Sequence, residues 1–303
     1  MSSGHGSPAK AILYAFLANF GIAVTKGGAA IYTNSGSMLA EAIHSFADCC
    51  NQVLLYVGLR QSQRPPTAQH PLGFGKISYF WSFVVALMLF SVGGLFSIQE
   101  GWHKLHSHEP IHQAWVALLV LGLSVCLETF STLGCLREIN KQRRGRTLRQ
   151  WVATTRNAEL VVVLGEDLAA LVGLVLAFVF VSMAAYTGNP IYDAFGSIVI
   201  GVVLIIVSMF IAVRIKGLIV GSSAEEDVQK AISEHIEATD GIEELLNAIT
   251  VQLGPQVMLA IKVRMTPGIS IEQAVDHLNA LERSIKSKFP EVAWCFVEPD
   301  TAD

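Results

Sequence analysis

The stretch Glu41-Ala42-Ile43-His44-Ser45-Phe46-Ala47-Asp48-Cys49-Cys50-Asn51 threads a row of polar groups through an otherwise apolar segment. At about 100° per residue, His44 and Asp48 fall one helical turn apart on one face, with Glu41 and Asn51 flanking them within roughly 60°. The row lies inside an apolar run, near 37 to 59, of membrane-spanning length. On insertion scales each ionisable group in such a place costs roughly 2.5 to 3.5 kcal/mol, so a row of them needs partners, water or an ion. The seam reads as half of a divalent-metal site.

Composition sets the frame for that reading. The 303 residues are 52% hydrophobic and only 15% charged, where soluble domains carry about a quarter charged residues. An integral membrane protein follows. Its net charge of -4 is mild, and the five cysteines, at 49, 50, 126, 135 and 295, form no CxxC pair and no disulfide framework. The opening MSSGHGSPAK lacks the pattern of a cleaved signal peptide, so the first apolar run is expected to persist as a transmembrane helix.

Six runs are long enough to cross a hydrocarbon layer of about 30 Å, near 11–33, 37–59, 79–99, 114–136, 158–182 and 191–213. Arg137, Lys141, Arg143, Arg144, Arg146, Arg149 and Arg156 fall between the fourth and fifth, and Arg60, Arg64 and Lys76 between the second and third. Lys and Arg concentrate in cytoplasmic loops, which places both termini inside. The basic 137–156 segment is expected to determine topology and touch anionic lipid head groups, not nucleic acid. His103, His106, His108 and His112 cluster after the third run, but their spacing fits no closed metal site.

Beyond Lys216 the composition turns soluble. Ser222 and Ser223, each three residues before a Glu, predict a capped helix to about Ala238. Strands are expected over 246–253 and 257–265, a helix opened by Ser270 and Gln273 to about Lys288, and a last strand from Val292 to Glu298. The fold class is thus an all-α six-helix transmembrane domain, 1–216, followed by an αββαβ domain, 217–303, with its helices on one face of the sheet. A unit of that size is marginal alone, which favours dimerisation through it.

A metal site between helices needs ligands from a second helix. Glu166 and Asp167 sit near the middle of the fifth run, Glu128 in the fourth, Lys26 in the first, and Asp193 opens the sixth. Lys26 lies nine residues before Ser35 and His44 nine after it, at matching depth, so Lys26 either neutralises Glu41 or Asp48 or extends to the interface. Glu128 is expected to hydrogen-bond across helices and Asp193 to cap or start the sixth run. Cys49 and Cys50 turn away from the seam and read as packing residues.

LAEAIHSFADCCNQ at 39–52, HPLGFGK at 70–76, GEDLAALVG at 165–173 and YDAFGSIVIG at 192–201 resemble the cation diffusion facilitator family of metal transporters, in particular its zinc transporter 9-like branch. The resemblance implies a metallochaperone-like terminal domain and a homodimer in the lipid bilayer, in a bacterial inner membrane or alternatively an organellar one. It implies transport of a divalent metal, Zn²⁺ foremost with Mn²⁺, Fe²⁺ and Co²⁺ as alternatives, against H⁺ as counter-ion and with no permanent cofactor. The family's ligand positions fall on His44, Asp48 and Asp167, while the fourth falls on Val163, which cannot ligate; Glu166 or water is left to supply it. Of two accessory metal sites in the family, the first keeps His70 but has Phe74 as its second position. The other has Leu246, Lys262 and Glu298 with only Asp300 of the right type, and a Lys262–Glu298 ion pair is expected there.

Two other classes compete. An intramembrane metal enzyme would want a general base such as the HExxH glutamate, and that motif is absent. A non-transporting sensor or scaffold would keep the metal ligands without proton coupling.

Overall fold

The computed structural model describes residues 8–107, 113–143 and 145–302, with side chains from Asn19 onward. His108 and His112 lie outside the described residues. In chain order the elements are α1 (Pro8–Thr33), α2 (Gly36–Ser62), α3 (Ile77–Ser107), α4 (Ala114–Gln142), α5 (Leu148–Thr154), α6 (Ala158–Thr187), α7 (Ile191–Val220), α8 (Glu226–Glu237), β1 (Ile242–Leu253), β2 (Gln256–Met265), α9 (Ile271–Lys288) and β3 (Val292–Pro299). They pack as two compact units.

The first unit holds α1, α4, all of α6 but its first residue, and most of α2, α3 and α7. Among the described residues, α3, α4, α6 and α7 are long and apolar enough to cross a membrane. Helix α2 does not meet that standard, because the seam interrupts its apolar run. Trp115, Phe130, Ile206 and Val213 point outward, as side chains solvated by lipid do. Close helix contact depends on glycine. A Cβ at Gly201 of α7 would stand 2.6 Å from the Gly94 carbonyl oxygen of α3, and one at Gly101 equally near that of Ala194. Residues Leu89–Leu95 of α3 widen into a π-helical turn, and His44 lies beside it at Gly93.

Asp193 caps a helix, but not its own. Its carboxylate accepts from Ser35 Oγ at 2.7 Å, Gly36 N at 2.5 Å and Ser37 N at 3.1 Å, at the free amides that open α2. The start of α7 is capped instead by Asn189, whose Oδ1 accepts from Ile191 N at 3.0 Å.

Segments Gly58–Phe80, Arg146–Ala158 and Ile215–Asp303 form the second unit. Its sheet runs β1-β2-β3, antiparallel then parallel. Alternate residues Val257, Leu259, Ile261 and Val263 of β2 bury against Ile232 and Ile236 of α8 and Leu281 and Ile285 of α9. The expected αββαβ order holds, with β1 starting at Ile242 ahead of two register shifts. Ser270 and Gln273 do form a capping box. Ser222 and Ser223 do not, because α8 starts at Glu226. Ser222 Oγ donates instead to Gly217 O, and the Ser223 carbonyl accepts from Arg156 Nε at 2.7 Å.

The basic segment is therefore not spent wholly on lipid. Arg146 pairs with Glu225 at 2.7 Å, and α5 buries Trp151 behind a Thr147–Gln150 capping box. The HPLGFGK stretch meets the β1–β2 turn: a Cβ on Gly75 would strike the Leu253 carbonyl, and Tyr79 Oη donates to Gly254 O at 3.3 Å.

His235, between α8 and α9, lies 3.0 Å from Ser284 Oγ and 3.3 Å from Lys288 Nζ. Burial, then the Lys288 charge, holds its pKa below the usual value. The unfolded chain thus binds the proton better, so the stability owed to neutral His235 is full above about pH 6.5 and is lost as pH falls below it. Thermal unfolding of the full chain in detergent should give a lower midpoint at pH 5 than at pH 7.5, and His235→Gln should narrow that gap. An unchanged gap would assign the acid sensitivity to other groups.

Candidate metal site in the helical unit

The seam of α2 folds as its spacing predicts. His44 Nε2 stands 3.6 Å from Asp48 Oδ2, and the imidazole is buried. Both ring nitrogens of His44, Asp48 Oδ1 and Asp167 Oδ2 are buried without a hydrogen-bond partner among the described residues. Native interiors seldom leave such atoms unpaired, and each costs about 1–3 kcal/mol. Four of them, contributed by α2 and α6, mark a place where the protein has kept donor atoms free.

A small cavity of about 60 Å³ adjoins Asp48 and Asp167, with His44 outside its lining. It is lined by Asp48, Ser45 and Gln52 of α2, Asn19 and Ile22 of α1, Glu128 and Ser131 of α4, and Val163, Glu166 and Asp167 of α6. The Ser131 hydroxyl hydrogen-bonds Asp167. Among the described residues, no three His, Cys, Asp or Glu side chains close on a common point that could hold a metal ion. Asp48 and Asp167 therefore border a shared space, His44 lies one helical turn from Asp48, and the three do not converge on a point.

The flanking residues are engaged. Glu41 pairs with Lys26 at 3.3 Å, and Lys26 Nζ also donates to Ser45 Oγ at 2.7 Å. Of the two readings for Lys26, neutralising the seam or extending to the interface, the buried ion pair is the one observed. Asn51 Nδ2 donates to Glu166 Oε1 at 2.6 Å, which ties Glu166 to α2. Cys49 is buried in packing.

Glu128 departs from expectation. Its carboxylate makes no hydrogen bond across helices among the described residues and faces the cavity instead. Asn19, Gln52 and Ser131 were not singled out from the sequence. Their signal lay in spacing: Asn19 and Ile22 share a face with Lys26, and Ser131 follows Glu128 by three residues.

The accessory positions take other partners. His70, in the second unit, stacks on Phe74 with ring centroids 4.5 Å apart. Lys262 pairs with Asp300 at 3.0 Å, where Glu298, its register neighbour on β3, was the expected partner. The backbone bond from Asp300 N to Val263 O brings that carboxylate alongside Lys262, whose hydrogen bond holds it below the usual carboxylate range. His106 is occupied with Trp102, its Nδ1 2.8 Å from the Trp102 carbonyl.

Comparison with known proteins agrees with this architecture. Residues 12–215 match the model of the cation efflux transmembrane domain, and residues 224–301 match that of the cation efflux protein cytoplasmic domain. The chain belongs to the cation efflux, or cation diffusion facilitator, family and is a multi-pass membrane protein. It is similar to "Proton-coupled zinc antiporter SLC30A9, mitochondrial" of Xenopus laevis, 32% identical over 255 residues, covering 84% of this chain and 45% of that relative. It is also similar to "Metal tolerance protein C4" of Arabidopsis thaliana, 31% identical over 248 residues, 81% of this chain and 54% of that relative. The chain spans about half the length of these two relatives. Magnetosome protein MamM of Paramagnetospirillum magneticum is 20% identical over 92% of this chain and 84% of its own. Among solved structures, a cadmium form of a MamM C-terminal domain variant matches 26% of this chain and 98% of its own, at 19% identity and a TM-score of 0.25.

Proposed function

We propose that this protein is a transporter, not an enzyme, that exports a divalent cation, Zn²⁺ foremost, in exchange for protons by alternating access at a site between α2 and α6. One observation carries the reading: the unpartnered, buried atoms of Asp48 and Asp167 beside a polar cavity, with the unpartnered imidazole of His44 next to Asp48. A dication would satisfy them together, and nothing apolar could. His44, Asp48 and Asp167 are the ligands in this reading, and Glu166 or water takes the position left by Val163. Rotation of these side chains toward the cavity completes the site.

Proton exchange follows from the ligand chemistry. Imidazole and carboxylate hold a metal only when deprotonated, so protons and the ion compete for the same atoms and release is favoured on the more acidic side. The SLC30A9 relatives, at 30–32% identity, are named proton-coupled zinc antiporters, which supports both zinc and proton coupling. The carboxylate-rich lining, Asp48, Glu128, Glu166 and Asp167, favours a second reading in which Mn²⁺, Fe²⁺ or Co²⁺ is carried.

In the same reading, residues 1–216 cross a bacterial inner membrane six times with the N-terminus inside. Residues 217–303 join two copies as a homodimer; Ile249 and Phe296, exposed on the sheet, offer apolar surface for a second copy. The test is metal-dependent flux in proteoliposomes under an imposed pH gradient, with Zn²⁺, Mn²⁺, Fe²⁺ and Co²⁺ in parallel. Flux that needs the gradient and disappears in Asp167→Ala is expected. Binding of these ions without flux of any of them would instead mark a sensor or scaffold.

A further inference from the structure

A lysine within a helix of membrane-spanning length normally extends its ammonium toward water. Lys26 does not: it is 2% exposed, and its Nζ is held by Glu41 Oε2 at 3.3 Å and Ser45 Oγ at 2.7 Å. Glu41 is fully buried, and its second oxygen, Oε1, has no partner among the described residues. That oxygen is pressed against Gly173 of α6, where any side chain would collide with it. Ser45, the other anchor of the ammonium, lines the cavity shared by Asp48 and Asp167. The ion pair thus borders one end of that cavity, the end toward the turn between α1 and α2.

As scaffolding alone the pair is a poor investment, because a buried ion pair can often be replaced by neutral groups at no loss of stability. Its position acts on an ion. Lys26 withdraws Glu41 from the donor set one turn from His44, and its fixed positive charge opposes a dication at His44 and Asp48. We propose that Lys26 is a tethered counter-cation of the ion site, which keeps Glu41 off the transported ion and loosens that ion's binding so that it can leave. The inference rests on the transport reading of the same site.

Its signature is a pair of effects with opposite sign. Lys26→Met frees a carboxylate and removes a repulsion, so Zn²⁺ should bind tighter by about tenfold or more and be carried more slowly. Glu41→Gln leaves the ammonium uncompensated, so Zn²⁺ should bind weaker by about tenfold or more. The Coulombic effect of a unit charge on a nearby dication at an effective dielectric of about 20 is at least of this size. The double variant, neutral at both positions, should return to within about threefold of the wild type.

The measurement is titration of the full chain in lipid nanodiscs with Zn²⁺, and with Mn²⁺ in parallel, alongside proteoliposome flux and thermal unfolding. Lys26→Gln, which keeps a donor for Glu41 and Ser45, serves where Lys26→Met does not fold. Opposite shifts in affinity establish the counter-cation. Shifts of equal sign, or a lower melting midpoint with unchanged affinity, would make the pair scaffold and overturn this inference alone. A wild type that takes up neither ion would remove the transport reading and the inference with it.

Discussion

Asp48→Ala is expected to reduce ion flux by about a hundredfold or more and to abolish measurable Zn²⁺ binding, without destabilising the protein. The two halves of that result have one cause. Asp48 borders the cavity with one oxygen unpartnered and the other 3.6 Å from His44 Nε2, so it contributes little to holding the fold. Removing a buried carboxylate that lacks a full set of partners relieves a desolvation cost. Loss of residues that merely orient a metal ligand weakens affinity by about 10- to 100-fold, so loss of a ligand should exceed that. Titration and flux, run beside thermal unfolding, separate the effects. A variant that unfolds early but still binds Zn²⁺ would make Asp48 a structural residue and would count against the site.

The opposite result is expected at Asp193. Its buried carboxylate accepts from the Ser35 hydroxyl and from two amides at the start of α2. Asp193→Ala would leave these donors unsatisfied in the interior, at a cost of about 3–5 kcal/mol. Ser37 Oγ would still donate to the Asp193 main-chain oxygen at 2.9 Å, so the loss belongs to the carboxylate. Asp193→Asn, which keeps an acceptor, should recover part of it. A change below about 0.5 kcal/mol in the full chain would show that water satisfies those amides equally well. Because α2 carries the seam, flux should fall in step with the folded fraction and ion affinity of the surviving protein should not change.

The contrast between these aspartates shows what could be read from a single chain. His44 and Asp48 were legible as a pair because helical periodicity alone puts residues four apart on one face. The same local rule found the capping box at Ser270 and the alternating β2 strand. It failed at Ser222 and Ser223, where a chain with Arg156 nearby offered the Ser223 carbonyl a stronger, charged donor. It failed too for Lys262, because Cα register does not say which of two acidic side chains, Glu298 or Asp300, bends toward an ammonium.

Glu128 was visible only as a costly carboxylate in an apolar run. Whether it met a donor across helices or faced an open space depended on which helix stood opposite, and helix adjacency is not encoded in local spacing. The same holds for Asp193, whose partners lie 156 to 158 residues away in the chain.

By itself, then, the sequence determined the apolar runs, the polar stripe within one of them, the αββαβ order of the last third and the family to which these belong. Those properties follow from composition and from the short-range geometry of helix and strand. Only the tertiary structure decided that Lys26 closes on Glu41 and Ser45, that Asn51 holds Glu166, that Asp193 caps α2 and that a small cavity gathers Asp48, Glu128 and Asp167. Each of these is a meeting of side chains from different helices, and which atoms find partners there, and which are left free for an ion, is fixed by packing in three dimensions.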